Sequence, residues 1–483
     1  MKGFKYIALG TLLMTLPSCG HDWLDVEPST SIQTESSINV LNDIEFSLNG
    51  IYSIMQNSNA YSGRLVYYAD ATGDDMQAVS STKRTGNYYR FNWTKDSGPS
   101  SHWSYLYKII NGCNNILTKI DDIEVREKEE ARKNDLLGQA YAIRGMAYFD
   151  LARIFGYPYK KDGGASLGAS IVLEPQDRTY KPKRATVAET YTQVINDLTK
   201  AGTLLSSKFN KGKINRWAAM TILSRVYLYK GNDALALQTA TEAIQGAEGS
   251  GYALWTTEEY PTAWGNDISA SNPGEVLFEI VNEVTDSPGR ESLGYLHSKD
   301  GYDDICITTS FYKMISEDAN DVRLKLLISD KKRYIYVFKY QPQEGENIRD
   351  ANIPLVRLSE AYLNAAEAAF KTNDAEKAAV YLNAIVQRAN PEKSVDAATL
   401  TLDRIMKERR LELVAEGHRM YDAVRDGGKV HRQDVNTGGQ QTKTRHNTSY
   451  MEYDWNFAKI VLPIPAHEIE TNPNMEQNKG YLQ

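Results

Sequence analysis

Two stretches of this chain place small residues at matching offsets, and that repeat limits the fold more than any other feature. The run from Trp217 to Ile244 holds Leu223, Ser224, Tyr227, Gly231, Ala236, Ala240 and Ala243. The run from Leu355 to Ile385 holds Ala365, Ala366, Ala369, Asn373, Ala378, Leu382 and Ile385 in the same register. Small residues let two helices approach closely, and Gly231-Asn232-Asp233 supplies a turn that reverses the chain. This is the spacing of tetratricopeptide-type helix pairs. A further pair is split. An apolar helix over about 135–155 carries Tyr148, Phe149 and Ala152, and its partner, with Tyr191, Ile195 and Leu198, follows only after a long loop. The first of these two helices is apolar on nearly every side, so it is expected to lie between other helices. The fold class expected is mainly α, with helix pairs over about 135–205, 217–245 and 355–388, long loops and a few short strands.

Two regions break the helical pattern. One, about 70–103, is rich in Gly, Ser, Asn and Asp and carries Tyr88, Tyr89, Trp93 and Trp103. The other, about 252–305, carries Trp255, Trp264 and an aromatic loop from Tyr295 to Tyr302. Strand-like runs lie at Glu275 to Val281 and Arg333 to Tyr340. Long loops on a rigid scaffold are where function concentrates.

The termini and composition exclude several classes. Lys2 and Lys5 precede an apolar run from Tyr6 to Leu16, too short to span a bilayer core of roughly 30 Å. Leu16-Pro17-Ser18-Cys19 follows in the position of a bacterial lipobox, so residues 1–18 are expected to be a lipoprotein signal peptide with Cys19 acylated. A polar tether over 19–37 and one domain over 38–483 complete the organisation. The net charge of −7 and the absence of any basic, aromatic-interleaved stretch argue against nucleic acid as a partner. Of three cysteines, Cys113 and Cys306 read as isolated buried thiols. There is no Walker A loop, HExxH, EF-hand or CxxC, so no metal or cofactor is expected. Gly164-Ala165-Ser166-Leu167-Gly168 matches GxSxG, but a Lys-Lys-Asp-Gly loop precedes it and no helix follows directly, which is the wrong context for a nucleophile elbow. Asp74 and Asp75 are adjacent rather than spaced across a sugar bond as a glycosidase pair requires. No catalytic residue is expected.

The most specific strings lie near the C-terminus. Glu408-Arg409-Arg410, Glu412-Leu413, Glu416-Gly417, Arg419, Asp422 and Arg425 lie on one run. Leu462-Pro463-Ile464-Pro465, Glu468, Asn472-Pro473, Gln477-Asn478 and Gly480-Tyr481 come later. With the segments from Ala140 to Pro158, from Arg184 and from Val356, and with Trp23, Leu24, Asp25 and Pro28 after Cys19, they resemble the SusD/RagB family in order and spacing along the whole mature chain. The charged helix suits ion-pair networks that lock it to other elements, and the prolines fix an extended segment, so these motifs belong to the fold rather than the site. The resemblance implies a SusD-like helical fold and a lipid-anchored protein on the outer face of the outer membrane. It implies a non-catalytic partner of a SusC-like TonB-dependent transporter that captures oligosaccharide or, in some members, peptide. A helical-repeat adaptor without a small ligand is the reading from a different class.

For the ligand site, aromatic faces suit sugar rings and charged groups suit their hydroxyls. Only two loop stretches combine both: Asp74, Asp75, Arg84, Tyr88, Tyr89 and Trp93, and Tyr295, Lys299 and Tyr302. Trp255 and Trp264 stand next in line.

Overall fold

Small residues set how closely the helices of this chain approach, and the helical spine follows from them. A computed structural model describes residues 38–177, 179–265, 268–331, 334–432 and 449–482, and residues 40–483 form one compact unit. The expected signal peptide and tether, with Cys19, lie outside the described residues, as do Trp23, Leu24, Asp25 and Pro28. The main helices are α1 (Leu41–Gln56), α2 (Arg64–Ala71), α3 (Ser101–Lys119), α4 (Glu130–Phe155), α5 (Val187–Leu204), α6 (Arg216–Lys230), α7 (Asp233–Gly249), α8 (Leu358–Lys371), α9 (Ala375–Ala389), α10 (Leu402–Leu413) and α11 (Arg419–Val424). Successive neighbours pack in a row: α1 on α3, α3 on α4, α4 on α5, α5 on α6, α6 on α7, α7 on α8 and α8 on α9. The fold is mainly α, and the expected helix pairs correspond to α4 with α5, α6 with α7 and α8 with α9.

Each pair has a local cause. In α4, a Cβ at Gly138 would sit 2.9 Å from Leu205, so glycine is what allows that approach. The α6–α7 turn uses Gly231 at φ +84°, and Asn232 then caps α7 by accepting from the Leu235 amide. The α8–α9 turn repeats the device with Asn373 at φ +63° and Asp374, whose carboxylate accepts from the Lys377 amide at 3.0 Å. Ala236, Ala240, Ala243, Ala365, Ala366, Ala369 and Ala378 are all completely buried. Among the described residues, no helix is long and apolar enough to cross a membrane.

The strands are short and lie in two-stranded antiparallel pairs. They are β1 (Met76–Ala78) with β3 (Ile305–Ile307), β2 (Val276–Ile280) with β6 (Ile353–Arg357), β4 (Leu327–Ser329) with β5 (Ile335–Val337), and β7 (Val430–His431) with β8 (Glu452–Tyr453). Thus β2 falls in the strand-like run at 275–281, and β5 in the run ending at Tyr340.

The charged C-terminal helices lock this assembly from inside. Arg357 is 1 % exposed and pairs with Glu275, Glu412 and Glu416. Arg388 joins Glu275 to Glu412, Arg323 reaches Asp321, Glu408 and Glu412, and Arg425 reaches Glu367 and Asp422. Burial alone would raise the Glu412 carboxyl, but the charges of Arg388, Arg357 and Arg323 hold it well below the usual carboxylate range. Apart from the local Arg323–Asp321 and Arg425–Asp422 pairs, these contacts join elements distant in sequence, so the helix-to-element locking expected from the charge pattern is what the structure contains.

Candidate functional site

The two stretches singled out as ligand loops are brought together by a strand pair. Met76 faces Ile307, Gln77 faces Cys306 and Ala78 faces Ile305. Beyond this ladder the Asp304 carboxylate, fully buried, accepts from the Arg84 amide at 3.1 Å, the Thr85 amide at 2.9 Å and the Thr85 hydroxyl at 2.6 Å. The loop that precedes Asp304 closes on itself. The Tyr302 amide donates to the Tyr295 carbonyl at 2.9 Å, and the Asp304 amide donates to the Leu296 carbonyl at 3.0 Å. Gly301 makes this closure possible, since a Cβ there would lie 2.1 Å from the Tyr295 carbonyl oxygen.

This framework presents a polar, aromatic patch. The Arg84 guanidinium lies 4.0 Å over the Tyr302 ring, and Tyr295 meets Tyr302 edge-on with centroids 4.9 Å apart. Arg84 Nε donates to Glu291 at 2.6 Å, and that bond is the first cause of the raised guanidinium pKa. Lys83 Nζ donates to the Tyr302 carbonyl and to the Asp303 carboxylate. Lys299 is exposed and pairs with Asp300 at 2.8 Å. The Arg84 side chain is 35 % exposed and that of Glu291 47 %, so their pair is held weakly in water and can be exchanged for hydrogen bonds to a ligand. The patch offers ring surface beside charged donors and acceptors, the combination that holds a hydroxyl-rich molecule.

The other candidates are inside the fold, and this corrects the picture of 70–103 as surface loops. Asp74 is bonded by Arg419 Nη2 at 3.1 Å and by the His431 amide at 3.0 Å. Burial would raise its carboxyl, but Arg419 and then Arg410 hold it at about 2. Asp75 takes a bidentate contact from Arg410, with Nε at 3.1 and 3.2 Å from its two oxygens. Tyr88 packs edge-on against Tyr67 and Tyr68, and the Arg432 guanidinium stacks 4.1 Å over Tyr89. Trp93 is 3 % exposed, lies against Phe91, and donates from Nε1 to the Tyr481 hydroxyl at 2.7 Å. All five are buried: C-terminal residues meet Asp74, Asp75, Tyr89 and Trp93, and Tyr88 packs among Tyr67, Tyr68, Trp93 and His102. Trp255 and Trp264 belong to an interior cluster with Tyr260. Of the predicted set, Arg84, Tyr295, Lys299 and Tyr302 reach the surface together. Lys83, Glu291, Asp303 and Asp304 were missed; the one sequence signal for the last two was their position after Tyr302 in a Gly-Tyr-Asp-Asp turn.

The GxSxG string is a loop, as its flanks indicated. The Asp162 carboxylate accepts from the amides of Gly164 and Ala165 at 3.0 Å and of Ser166 at 3.1 Å, and α5 starts only at Val187. Cys113 and Cys306 are buried free thiols.

Comparison with known proteins agrees with this architecture. The profile of the SusD family matches residues 329–481, and that of starch-binding proteins associating with the outer membrane matches residues 22–228. A crystal structure of a candidate sugar binding protein from Bacteroides vulgatus is 69 % identical, covers 92 % of this chain and 100 % of its own, and superposes with a TM-score of 0.91. A SusD superfamily protein from the same species is 36 % identical, covers 92 % and 100 %, and gives a TM-score of 0.84. The starch-binding protein SusD of Bacteroides thetaiotaomicron is 35 % identical over 29 % of this chain and 24 % of its own length.

Proposed function

Because the chain belongs to the SusD family, we propose that it is a glycan-binding subunit of an outer-membrane importer, capturing oligosaccharide without chemistry and passing it to a SusC-like TonB-dependent transporter. The observation that carries this reading is the surface patch of Arg84, Tyr295 and Tyr302. Two rings and a guanidinium converge there on a β1–β3 framework, beside the carboxylates of Glu291 and Asp303. Preorganised aromatic and charged groups bind sugars at low ordering cost, whereas a hydrolase needs two carboxyls set across the scissile bond. The matches to starch-binding and sugar binding relatives support a carbohydrate as the ligand class. Residues 1–18 are the leader in this reading, and acylated Cys19 with the 19–37 tether anchors the 38–483 domain facing the cell exterior.

Three measurements test it. The purified chain applied to an array of soluble oligosaccharides should retain at least one glycan, with no product released on prolonged incubation. Retention of peptides alone would replace the glycan reading with the peptide-binding one. Cys19→Ala should free the protein from the membrane fraction and remove fatty-acid labelling, and affinity purification from solubilised outer membranes should bring down a large TonB-dependent barrel. Purification without a barrel would remove the transport half of the proposal.

A further inference from the structure

With the patch of Arg84, Tyr295 and Tyr302 taken as the glycan site, its charges bear on which glycans it admits. Every cation of the patch already holds a carboxylate. Arg84 donates from Nε and Nη2 to the two oxygens of Glu291, with the Nε bond at 2.6 Å, so this acid fills the fork that a ligand carboxylate or sulfate would use. Lys83 is paired with Asp303, and Lys299 with both oxygens of Asp300 at 2.8 Å. The remaining Arg84 nitrogen, Nη1, also has an anion near it: the fully buried Asp304 carboxylate, 3.9 Å away. Asp304 is fixed there by the Arg84 and Thr85 amides and the Thr85 hydroxyl. The patch therefore sets three cations against four carboxylates. Arg290, an exposed neighbour of Glu291, lies in the 3-10 turn Gly289–Glu291. Successive side chains of such a turn project about 120° apart, so Arg290 leaves it on a different side from Glu291.

Neutral and acidic glycans meet this arrangement differently. A neutral chain brings hydroxyls, each both donor and acceptor. One hydroxyl can accept from Arg84 while another donates to Glu291, and both residues stay satisfied. An ionised uronate or sulfate ester only accepts at its charged group. To reach the Arg84 fork it has to expel Glu291, and it then lies beside the released carboxylate, with Asp304 behind the same guanidinium. Like charges side by side cost affinity, and discrimination is built from such repulsion as much as from attraction. The Tyr295 and Tyr302 rings offer the same apolar surface to either class, so the choice falls to the charges. We propose that Glu291 is the specificity-determining residue of the patch, and that by occupying the Arg84 guanidinium it selects neutral oligosaccharides over uronate-bearing or sulfated ones.

An array carrying neutral gluco-, manno- and galacto-oligosaccharides beside oligogalacturonates and sulfated galactans separates the outcomes on the unaltered protein. Retention of neutral chains, with acidic chains at least about tenfold weaker, is the expected result. Strongest retention of an acidic chain overturns the selectivity and leaves glycan capture standing, whereas an array that retains no glycan removes glycan capture and the selectivity with it. Because these charges are exposed, the preference should narrow as salt is raised. Glu291→Gln keeps the shape of the side chain and removes its charge. In that variant the ratio of neutral to acidic affinity should fall at least about fivefold. An unchanged ratio in the folded variant refutes the role of Glu291, and if the variant fails to fold the array on the unaltered protein still decides.

Discussion

Replacing Trp93 by alanine separates a structural indole from a ligand platform. The side chain is 3 % exposed and packs on Phe91 with centroids 5.4 Å apart, with Tyr88 and Tyr68 at 6.2 and 6.5 Å. Its Nε1 bond to Tyr481 is also lost, although the Tyr481 hydroxyl keeps its own donation to the Val461 carbonyl at 2.7 Å, so no bare polar group remains. Truncating a fully packed tryptophan costs about 3–5 kcal/mol, and the retained Tyr481 bond places this case near about 4 kcal/mol. Unfolding entropy of about 2 cal/mol/K per residue over the unit at 40–483 converts this to a fall in Tm of about 4 °C. Calorimetry, with guanidinium titration at unchanged slope, measures the loss, and glycan affinity measured well below the transition should stay within about twofold of the unaltered protein. A variant with unchanged stability but abolished binding would refute the interior placement of Trp93 and return the site to the 70–103 stretch.

Three further outcomes follow from the same packing and charge arguments. Arg357→Met removes the guanidinium shared by Glu275, Glu412 and Glu416 and leaves them their ion pairs to Arg388, Arg323 and Lys339, so it should cost about 4 kcal/mol in denaturant titration; a change below about 1 kcal/mol would show that the cluster is not what locks α10. Ala240 is completely buried in α7, which packs between α6 and α8, so Ala240→Leu should overpack the contact by about 1–3 kcal/mol, and an unaltered Tm would contradict the tight helix pair. Burial lowers His102 to about 3 and His297 to about 4, below the unfolded value near 6.5, so their contribution to stability is full above that value and falls as the pH drops through it. Each imidazole should cost about 2 kcal/mol between pH 6.5 and 5, and a denaturation midpoint that stays flat over that range would rule out buried neutral imidazoles.

Local signals in the sequence were enough for the helices and not for the burial of the loops. Ala236, Ala240 and Ala243 repeat in Ala365, Ala366 and Ala369 because a close helix pair demands small residues at fixed offsets, and both turns carry their own capping chemistry. The strands are three to five residues long where they matter, and β1 finds its partner only at Ile305–Ile307, so nothing near Met76 announces the pairing. The 70–103 stretch has the composition of surface loops, but Arg410 and Arg419 reach across to Asp75 and Asp74, and Tyr481 reaches Trp93. Those partners lie more than 300 positions away, and a composition argument has no access to them. Arg84, Tyr295 and Tyr302 stand out in the sequence because they combine charge with aromatic surface; Glu291 and Asp304 do not, because they come to Arg84 only through the loop closure.

The most direct measurement is calorimetric titration of an array-identified oligosaccharide into the unaltered protein and into Tyr302→Ala. Tyr302 is partly exposed and carries the Arg84 contact, so its loss removes ring surface and the cation–π contact while Arg84 keeps Glu291, without opening the core. The account predicts at least about tenfold weaker binding, or about 1.4 kcal/mol, with the far-ultraviolet helical signal unchanged. Equal affinity in the folded variant would contradict it and place the glycan elsewhere on the chain.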